Sequence, residues 1–359
     1  MASLERFYRE LAEGTATGPA ALLARAFLGI AAAPYGVAMA VRARLYASGI
    51  LTSRQLPRPV VAVGNLTVGG TGKTPMTALI ARLFMARGKR VVVLSRGYGG
   101  TLHGRGEHVV ADGSRILLGP EESGDEPYLL ATSVPGLIVV VGADRYRAGC
   151  LALERLEPDV FLLDDGFQHL RLRRDLNILL LDCRRPFGNG RVFPAGLLRE
   201  PRSAVGRADL IVYTRCPEGA TPPDIPGIPA CRAEHRLTGI VPLGGGGLRP
   251  FDELTGKRGV ACAGIANPDG FFAALREQGL TLAATLALPD HCRYREGEMA
   301  AVRRLIEGAD ADYLVTTGKD GVKLLSRRQD LGPVWVSELE LRLDDATPLH
   351  AAAEHILCT

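Results

Sequence analysis

Val60-Val-Ala-Val-Gly-Asn-Leu-Thr-Val-Gly-Gly-Thr-Gly-Lys-Thr-Pro75 is the stretch from which the fold can be read. It joins a β-branched apolar run, a glycine-rich loop and Gly72-Lys73-Thr74, which leads into the apolar, helix-like Met76–Arg87. Small residues through Thr67, Val68, Gly69, Gly70, Thr71 and Gly72 let successive backbone N–H groups turn into a concavity, and the following helix adds its dipole. Lys73 then suits the β- and γ-phosphates of a nucleotide, and the Thr74 hydroxyl suits Mg2+. The strict pattern G-x-x-x-x-G-K-[ST] is missed at its first position, where Thr67 replaces Gly; Gly69 and Gly70 supply the flexibility instead. Strand, loop and helix in this order predict a P-loop, and with it an α/β fold.

Working outward, short Val-, Ile- and Leu-rich runs recur between helical stretches at Val60–Val63, Arg90–Ser95, Leu137–Val141, Val160–Asp164, Asn177–Asp182 and Leu210–Thr214. Runs this continuously apolar fit parallel strands covered on both faces, so the fold class is a P-loop NTPase-like parallel sheet flanked by helices. A Pro- and Gly-rich stretch follows Cys216, and a smaller α/β pattern resumes with strands near Gly259–Ala263, Tyr313–Thr317 and Val334–Ser337. The expected organisation is an N-terminal helical segment (1–50), a nucleotide-binding domain (51–215), a linker (216–250) and a smaller C-terminal α/β domain (251–359). The length of 359 residues agrees with about two domains at roughly 150 residues each.

The net charge of +4 averages two unlike regions. Gly14 to Gly106 holds no Asp or Glu but twelve Lys and Arg, while the chain after Gly106 has 29 Lys and Arg against 36 Asp and Glu. The front therefore favours anionic partners: nucleotide, phosphorylated substrate, nucleic acid or an acidic membrane surface. Nucleic acid is disfavoured, because the basic residues lie on helix, loop and strand alike without interleaved aromatics. The seven cysteines are scattered and never form a C-x-x-C pair, which fits a reducing compartment and excludes a disulfide framework or zinc knuckle.

Ala26 to Val41 are sixteen residues without a charge, interrupted by Pro34 and followed by Arg42, Arg44, Arg54 and Arg58. The run is short for a spanning helix and would kink at Pro34. Clustered arginines beyond an apolar helix suit an anionic cytoplasmic leaflet, so peripheral or N-terminally anchored membrane association competes with a core-packed, Ala-rich helix.

A P-loop needs an acidic partner at a strand end, and Val160-Phe-Leu-Leu-Asp-Asp-Gly166 supplies Asp164 and Asp165. Two adjacent carboxylates there repel unless a cation lies beside them. Gly124-Asp-Glu-Pro127 offers two more acids, Asp125 and Glu126; transfer of a phosphoryl group to a hydroxyl calls for a group that accepts the proton, although this is also an ordinary helix-entry sequence.

Seven motifs occur in one order: Gly64 to Pro75, Ser95-Arg-Gly-Tyr-Gly99, Gly124 to Pro127, Leu163-Asp-Asp-Gly-Phe-Gln-His169, Pro194-Ala-Gly-Leu-Leu-Arg-Glu-Pro201, Ala263-Gly-Ile-Ala-Asn-Pro268 and Pro289-Asp-His291. Together they resemble the tetraacyldisaccharide 4'-kinase family of lipid A biosynthesis, from about residue 20 to about residue 325. The resemblance implies transfer of the ATP γ-phosphate to the 4'-hydroxyl of an acylated disaccharide 1-phosphate lipid, with Mg2+, at the inner membrane. It also implies roles by position. Lys73 and Thr74 match the P-loop Lys and metal-contacting hydroxyl; Asp164, Asp165 and Gln168 match the second acidic motif near the metal. Asp125 matches the acid proposed as base, and His291 the His thought to pair with it, a pairing that would couple catalysis to domain closure. Glu126 is a further candidate for the metal. Arg96 and Tyr98 suit the sugar or its 1-phosphate, and Arg171, with Arg173 and Arg174, suits either a phosphate or a solvated face. The family's Thr-Glu-Lys-Asp-x-Val-Lys pattern departs here to Thr317-Gly-Lys-Asp-Gly-Val-Lys323, with Gly318 in place of Glu.

The alternative is a P-loop NTPase that couples hydrolysis to conformational change. Against it, the sequence holds no Asn-Lys-x-Asp guanine-reading motif and no clustered Cys/His metal ligands.

Overall fold

The computed structural model describes residues 8, 10–12, 14–217, 219–290 and 292–358. The chain divides into two units, each assembled from separated segments: 1–96, 142–234 and 342–359 form the first, and 97–141 and 235–341 the second.

In the first unit five parallel strands lie in the order Leu210–Thr214, Leu176–Asp182, Val60–Asn65, Val160–Asp164, Val91–Ser95. Val60–Asn65 is flanked on both sides and buried throughout, which explains its unbroken apolar run. Its neighbour Val160–Asp164 aligns Val63 with Asp164, so the glycine-rich loop and the two acids leave the sheet at the same carboxyl edge. The helix Lys73–Met85 returns along the sheet and buries Met76, Ile80, Ala81 and Phe84. Leu66, Phe167, Leu179, Leu198 and Tyr213 close the core beneath the strand ends.

The second unit contains a parallel sheet in the order Leu282–Ala287, Gly259–Ala263, Tyr313–Thr317, Val334–Leu343, and an antiparallel pair, His108–Asp112 with Ile138–Val141. Phe272, Leu275, Tyr313 and Val315 fill one side of the parallel sheet; Val260, Met299, Val302 and Leu314 fill the other.

The nine strands expected from the sequence all form, within one or two residues at most ends. Three more appear: His108–Asp112, Ala230–Pro242 and Leu282–Ala287. The second of these lies within the stretch expected to be a linker, where Ala230–Ala233 extend the first unit's sheet beside Leu210–Thr214. Its alternating burial and flanking prolines hide it from a search for continuous apolar runs.

Near the N-terminus, Pro19–Ala47 forms a single 29-residue helix that includes Pro34, about 43 Å long at 1.5 Å per residue. Tyr35 donates to the Arg199 carbonyl at 2.8 Å and packs edge-on against Phe193, and Arg42 donates to the Gln168 carbonyl at 2.9 Å. The reading as a core helix fails, because only Ala21 and Ala32 are buried. Leu22, Leu23, Phe27, Ile30, Val37 and Val41 project from the side opposite Leu28, Ala32 and Tyr35, with Ile30 76% exposed.

Candidate active site

The glycine-rich loop is pinned from beneath. Asn65 donates from its side-chain amide to Thr71 Oγ1 at 2.9 Å and to the Gly69 carbonyl at 3.3 Å. The Thr214 hydroxyl donates to the Thr71 carbonyl at 3.1 Å, and Arg215, held by Asp182 at 3.0 Å, donates to the Gly70 carbonyl. Val68 N–H bonds the Leu197 carbonyl at 2.8 Å, and Thr67 pairs with Leu198. Gly72 takes φ 88°, a left-handed conformation that suits glycine, and no side chain caps the helix it precedes. The first-turn N–H groups of that helix are therefore left for an anion. Gly64 has a different reason: a Cβ there would come within 2.6 Å of Phe167 Cβ, so the acidic turn packs directly on this strand only because residue 64 has no side chain.

Asp164 is buried and accepts from the Thr77 hydroxyl at 3.0 Å. Asp165 turns the other way. Both its oxygens accept from Arg199, at 2.7 and 2.8 Å, and Lys73 Nζ lies 3.8 Å off. Burial by itself would raise the Asp165 pKa, but Lys73 and Arg199 outweigh it and hold the carboxyl below its ordinary range. Arg145 is buried close by, pushed down to about 10 by desolvation and by Arg96, with Asp165 and Asp164 opposing the shift. Gln168 donates from its amide to the Asn65 carbonyl at 2.8 Å, while its Oε1 and the Asn65 Oδ1 are buried without a hydrogen-bond partner. His169 is pushed down to about 4 by burial and by Arg145, so it is neutral at pH 7.

In the second unit, Asp125 and Glu126 open the helix Asp125–Ser133, where the helix dipole favours carboxylates. The short helix Gly318–Leu324 faces them: Lys319 pairs with Glu126, and Lys323 Nζ lies 3.4 Å from Asp125. Both lysines of the departed motif thus meet an acid despite Gly318, whose absent Cβ would lie 3.1 Å from Leu129. His291 lies outside the described residues.

Of the expected substrate residues, Arg96 and Arg171 are exposed in the first unit; Tyr98 is 74% exposed in the second, edge-on to His103. The basic run after Arg171 splits: Arg174 is spent on the carbonyls of His169 and Leu172 and on Asn177, a structural role that leaves Arg171 and Arg173 at the surface. Among the described residues no three His, Cys, Asp or Glu side chains converge to hold a metal, and none of the cysteines described in full is disulfide-bonded.

Comparison with known proteins decides the family. The profile described as tetraacyldisaccharide-1-P 4'-kinase matches residues 24–357. The chain belongs to the tetraacyldisaccharide-1-P 4'-kinase family. It is 58% identical over 351 residues to the tetraacyldisaccharide 4'-kinase of Geobacter sulfurreducens, covering 98% of this chain and 99% of that one. It is 53% identical over 360 residues to the protein of the same name from Pelobacter propionicus, covering 99% of each. Among solved structures it is similar to the apo form of LpxK from Aquifex aeolicus in complex with ATP, with a TM-score of 0.79, 34% identity, and coverage of 93% of this chain and 99% of that one.

Membership in the 4'-kinase family gives weight to groups that reading the sequence left without a role. Arg199 is visible in the sequence only as part of Pro194–Pro201, yet its Nη1 donates to both oxygens of Asp165. Arg145 carries a signal in hindsight: a cation in the first turn of a helix opposes the helix dipole, and here nearby carboxylates offset that cost. Lys319 and Lys323 stand in the Thr317–Lys323 motif, where the sequence alone shows no partner for either.

Proposed function

We propose that this protein, a tetraacyldisaccharide 4'-kinase of lipid A biosynthesis, transfers the γ-phosphate of ATP to the 4'-hydroxyl of a tetraacylated disaccharide 1-phosphate lipid, with Mg2+ bound at the phosphate cradle. The observation that carries the reading is the meeting of Lys73, Asp165 and Arg199 at an uncapped helix N-terminus. Lys73, now beside Asp165, takes the β- and γ-phosphates when the nucleotide binds, and the loop N–H groups hold the remaining phosphate oxygens.

The residues present fit a hard cation. Gln168 Oε1 is a buried oxygen without a partner, and Thr74, Asp164 and Asp165 share its carboxyl edge. Thr74, Asp164, Asp165 and Gln168 would hold Mg2+, which when bound neutralises charge on the transferring phosphoryl group. Glu126 pairs with Lys319 on the second unit.

Asp125 accepts the proton of the 4'-hydroxyl as its oxygen attacks the γ-phosphorus and ADP leaves; His291 is the proposed partner that shares that proton. Arg96, Tyr98 and Arg171 are proposed for the sugar and its 1-phosphate. The exposed apolar side of Pro19–Ala47, a helix long and apolar enough to cross a membrane, supports seating in the inner membrane. Arg44, Arg54 and Arg58 would lie toward anionic headgroups of the cytoplasmic leaflet.

The test is incubation of purified protein with Mg2+-ATP and tetraacyldisaccharide 1-phosphate. A lipid product heavier by one phosphate, with the new ester at the 4' position, is expected. ATP hydrolysis independent of lipid, with no such product, would favour the NTPase reading instead.

A further inference from the structure

Helix Gly318–Leu324 is fixed on one side and charged on another. On the fixed side Asp320 is fully buried: one of its oxygens accepts the Gly264 N–H at 3.0 Å and the Thr317 hydroxyl at 2.6 Å, which ties the helix to the loop after strand Gly259–Ala263. Thr317 in turn caps the helix by accepting the Asp320 N–H at 3.2 Å. Lys319 and Lys323 are four residues apart and so share a second side. Leu129 packs against the place where Gly318 has no side chain, which brings that side close to helix Asp125–Ser133.

Two neighbouring carboxylates, Asp125 and Glu126, then meet two ammonium groups in register. Lys323 is only 10% exposed, so an ammonium there without its carboxylate would pay a desolvation cost, and the pair is held together for that reason. Lys319 neutralises Glu126, removing the repulsion that would otherwise turn Asp125 aside.

We propose that Lys323 and Lys319 are positioning residues for the phosphoryl-accepting step, Lys323 fixing the orientation of the Asp125 carboxylate and Lys319 holding Glu126 away from it. The proposal rests on the reading of Asp125 as the proton acceptor. It gives the two lysines of the Thr317–Lys323 motif a job in catalysis through the acids they pair with.

The experiment compares full-length wild-type protein with Lys323→Ala, Lys323→Arg, Lys319→Ala, Asp125→Asn and the double variant Asp125→Asn/Lys323→Ala, in detergent micelles with Mg2+-ATP and tetraacyldisaccharide 1-phosphate. Misplacement of one reacting group by about an ångström costs on the order of a hundredfold. Lys323→Ala and Lys319→Ala are expected to lower kcat about tenfold to a hundredfold, with the KM for ATP within about twofold of wild type. Lys323→Arg, which keeps the charge, should recover most of the loss, and the double variant should fall no lower than Asp125→Asn alone. Wild-type kcat in Lys323→Ala, beside a collapsed Asp125→Asn, overturns the positioning role and leaves the base reading standing. Wild-type kcat in Asp125→Asn overturns the base reading and this proposal with it. A loss in Lys323→Ala that Arg does not recover, accompanied by an equal rise in the KM for ATP and a lower Tm, assigns Lys323 to folding and also overturns the proposal.

Discussion

Arg199 grips both oxygens of Asp165 while Lys73 lies 3.8 Å from the same carboxylate. Lys73 thus has an anionic partner in Asp165, and on the proposed reading a triphosphate competes with that carboxylate for it. Lys73→Ala should lower turnover by about a hundredfold to a thousandfold, the range for loss of one preorganised charge donor. Steady-state kinetics and ATP titration check this; tight ATP binding and normal turnover in the variant would remove Lys73 from the cradle.

Arg199→Ala leaves Asp165 with Lys73 as its nearest cation. Retained by Asp165, Lys73 is less available to phosphate, so the KM for ATP is expected to rise more than kcat falls. Arg199→Lys keeps the charge and should restore part of the effect, since a shorter-reaching, strongly hydrated ammonium replaces the planar guanidinium whose Nη1 donates to both Asp165 oxygens.

Gly64→Ala tests the packing of the acidic turn on its strand. With Phe167 Cβ 2.6 Å from the added carbon and backbone N only 2.8 Å away, the turn must shift. Overpacking of this kind costs typically 1–3 kcal/mol, so denaturant unfolding should show a loss of about that size together with weakened activity. A variant as stable as wild type would show that the turn moves freely.

Much of this was legible in the sequence, and the exceptions have physical causes. Val60 to Pro75 revealed strand, loop and helix because each has its own residue signature, and continuous apolar runs marked the strands buried on both faces. Ala230–Pro242 was missed because burial alternates along most of it, with Cys231 and Ala233 buried between exposed residues. Arg199 and Arg145 were missed as parts of the site because their importance comes from the partners that the fold brings to them, 34 and about 20 residues away in sequence. The membership of residues 97–141 in the second unit likewise rests on long-range packing that no local pattern records. Pro34, expected to kink the N-terminal helix, stands within the 29-residue helix Pro19–Ala47.

His169 carries the pH dependence. Its folded pKa, about 4, lies below the ordinary value of 6.5, so between these values the unfolded chain binds a proton that the folded one refuses. This group therefore costs no stability above pH 6.5 and destabilises the fold progressively as pH falls toward 4. Melting temperatures across that window should decline less steeply in His169→Gln than in wild type; parallel curves would show that the imidazole titrates freely.

On the outer side of Pro19–Ala47, Phe27→Ser and Ile30→Ser replace side chains that are 74% and 76% exposed. Stability in detergent should stay within about 0.5 kcal/mol, as for other surface substitutions. Partition to anionic vesicles should fall about tenfold or more per side chain, given about 1.5–3 kcal/mol for burying each. Unchanged partitioning would leave the helix without a membrane role.

The most direct measurement is the fate of the γ-phosphate in wild type and in Asp125→Ala, followed alongside ATP binding to the same preparations. The account predicts a 4'-phosphorylated lipid from the wild type, turnover lower by orders of magnitude in Asp125→Ala, and unchanged ATP affinity in both. Full transfer by Asp125→Ala, or lipid-independent release of phosphate by the wild type with no phosphorylated lipid, would contradict it.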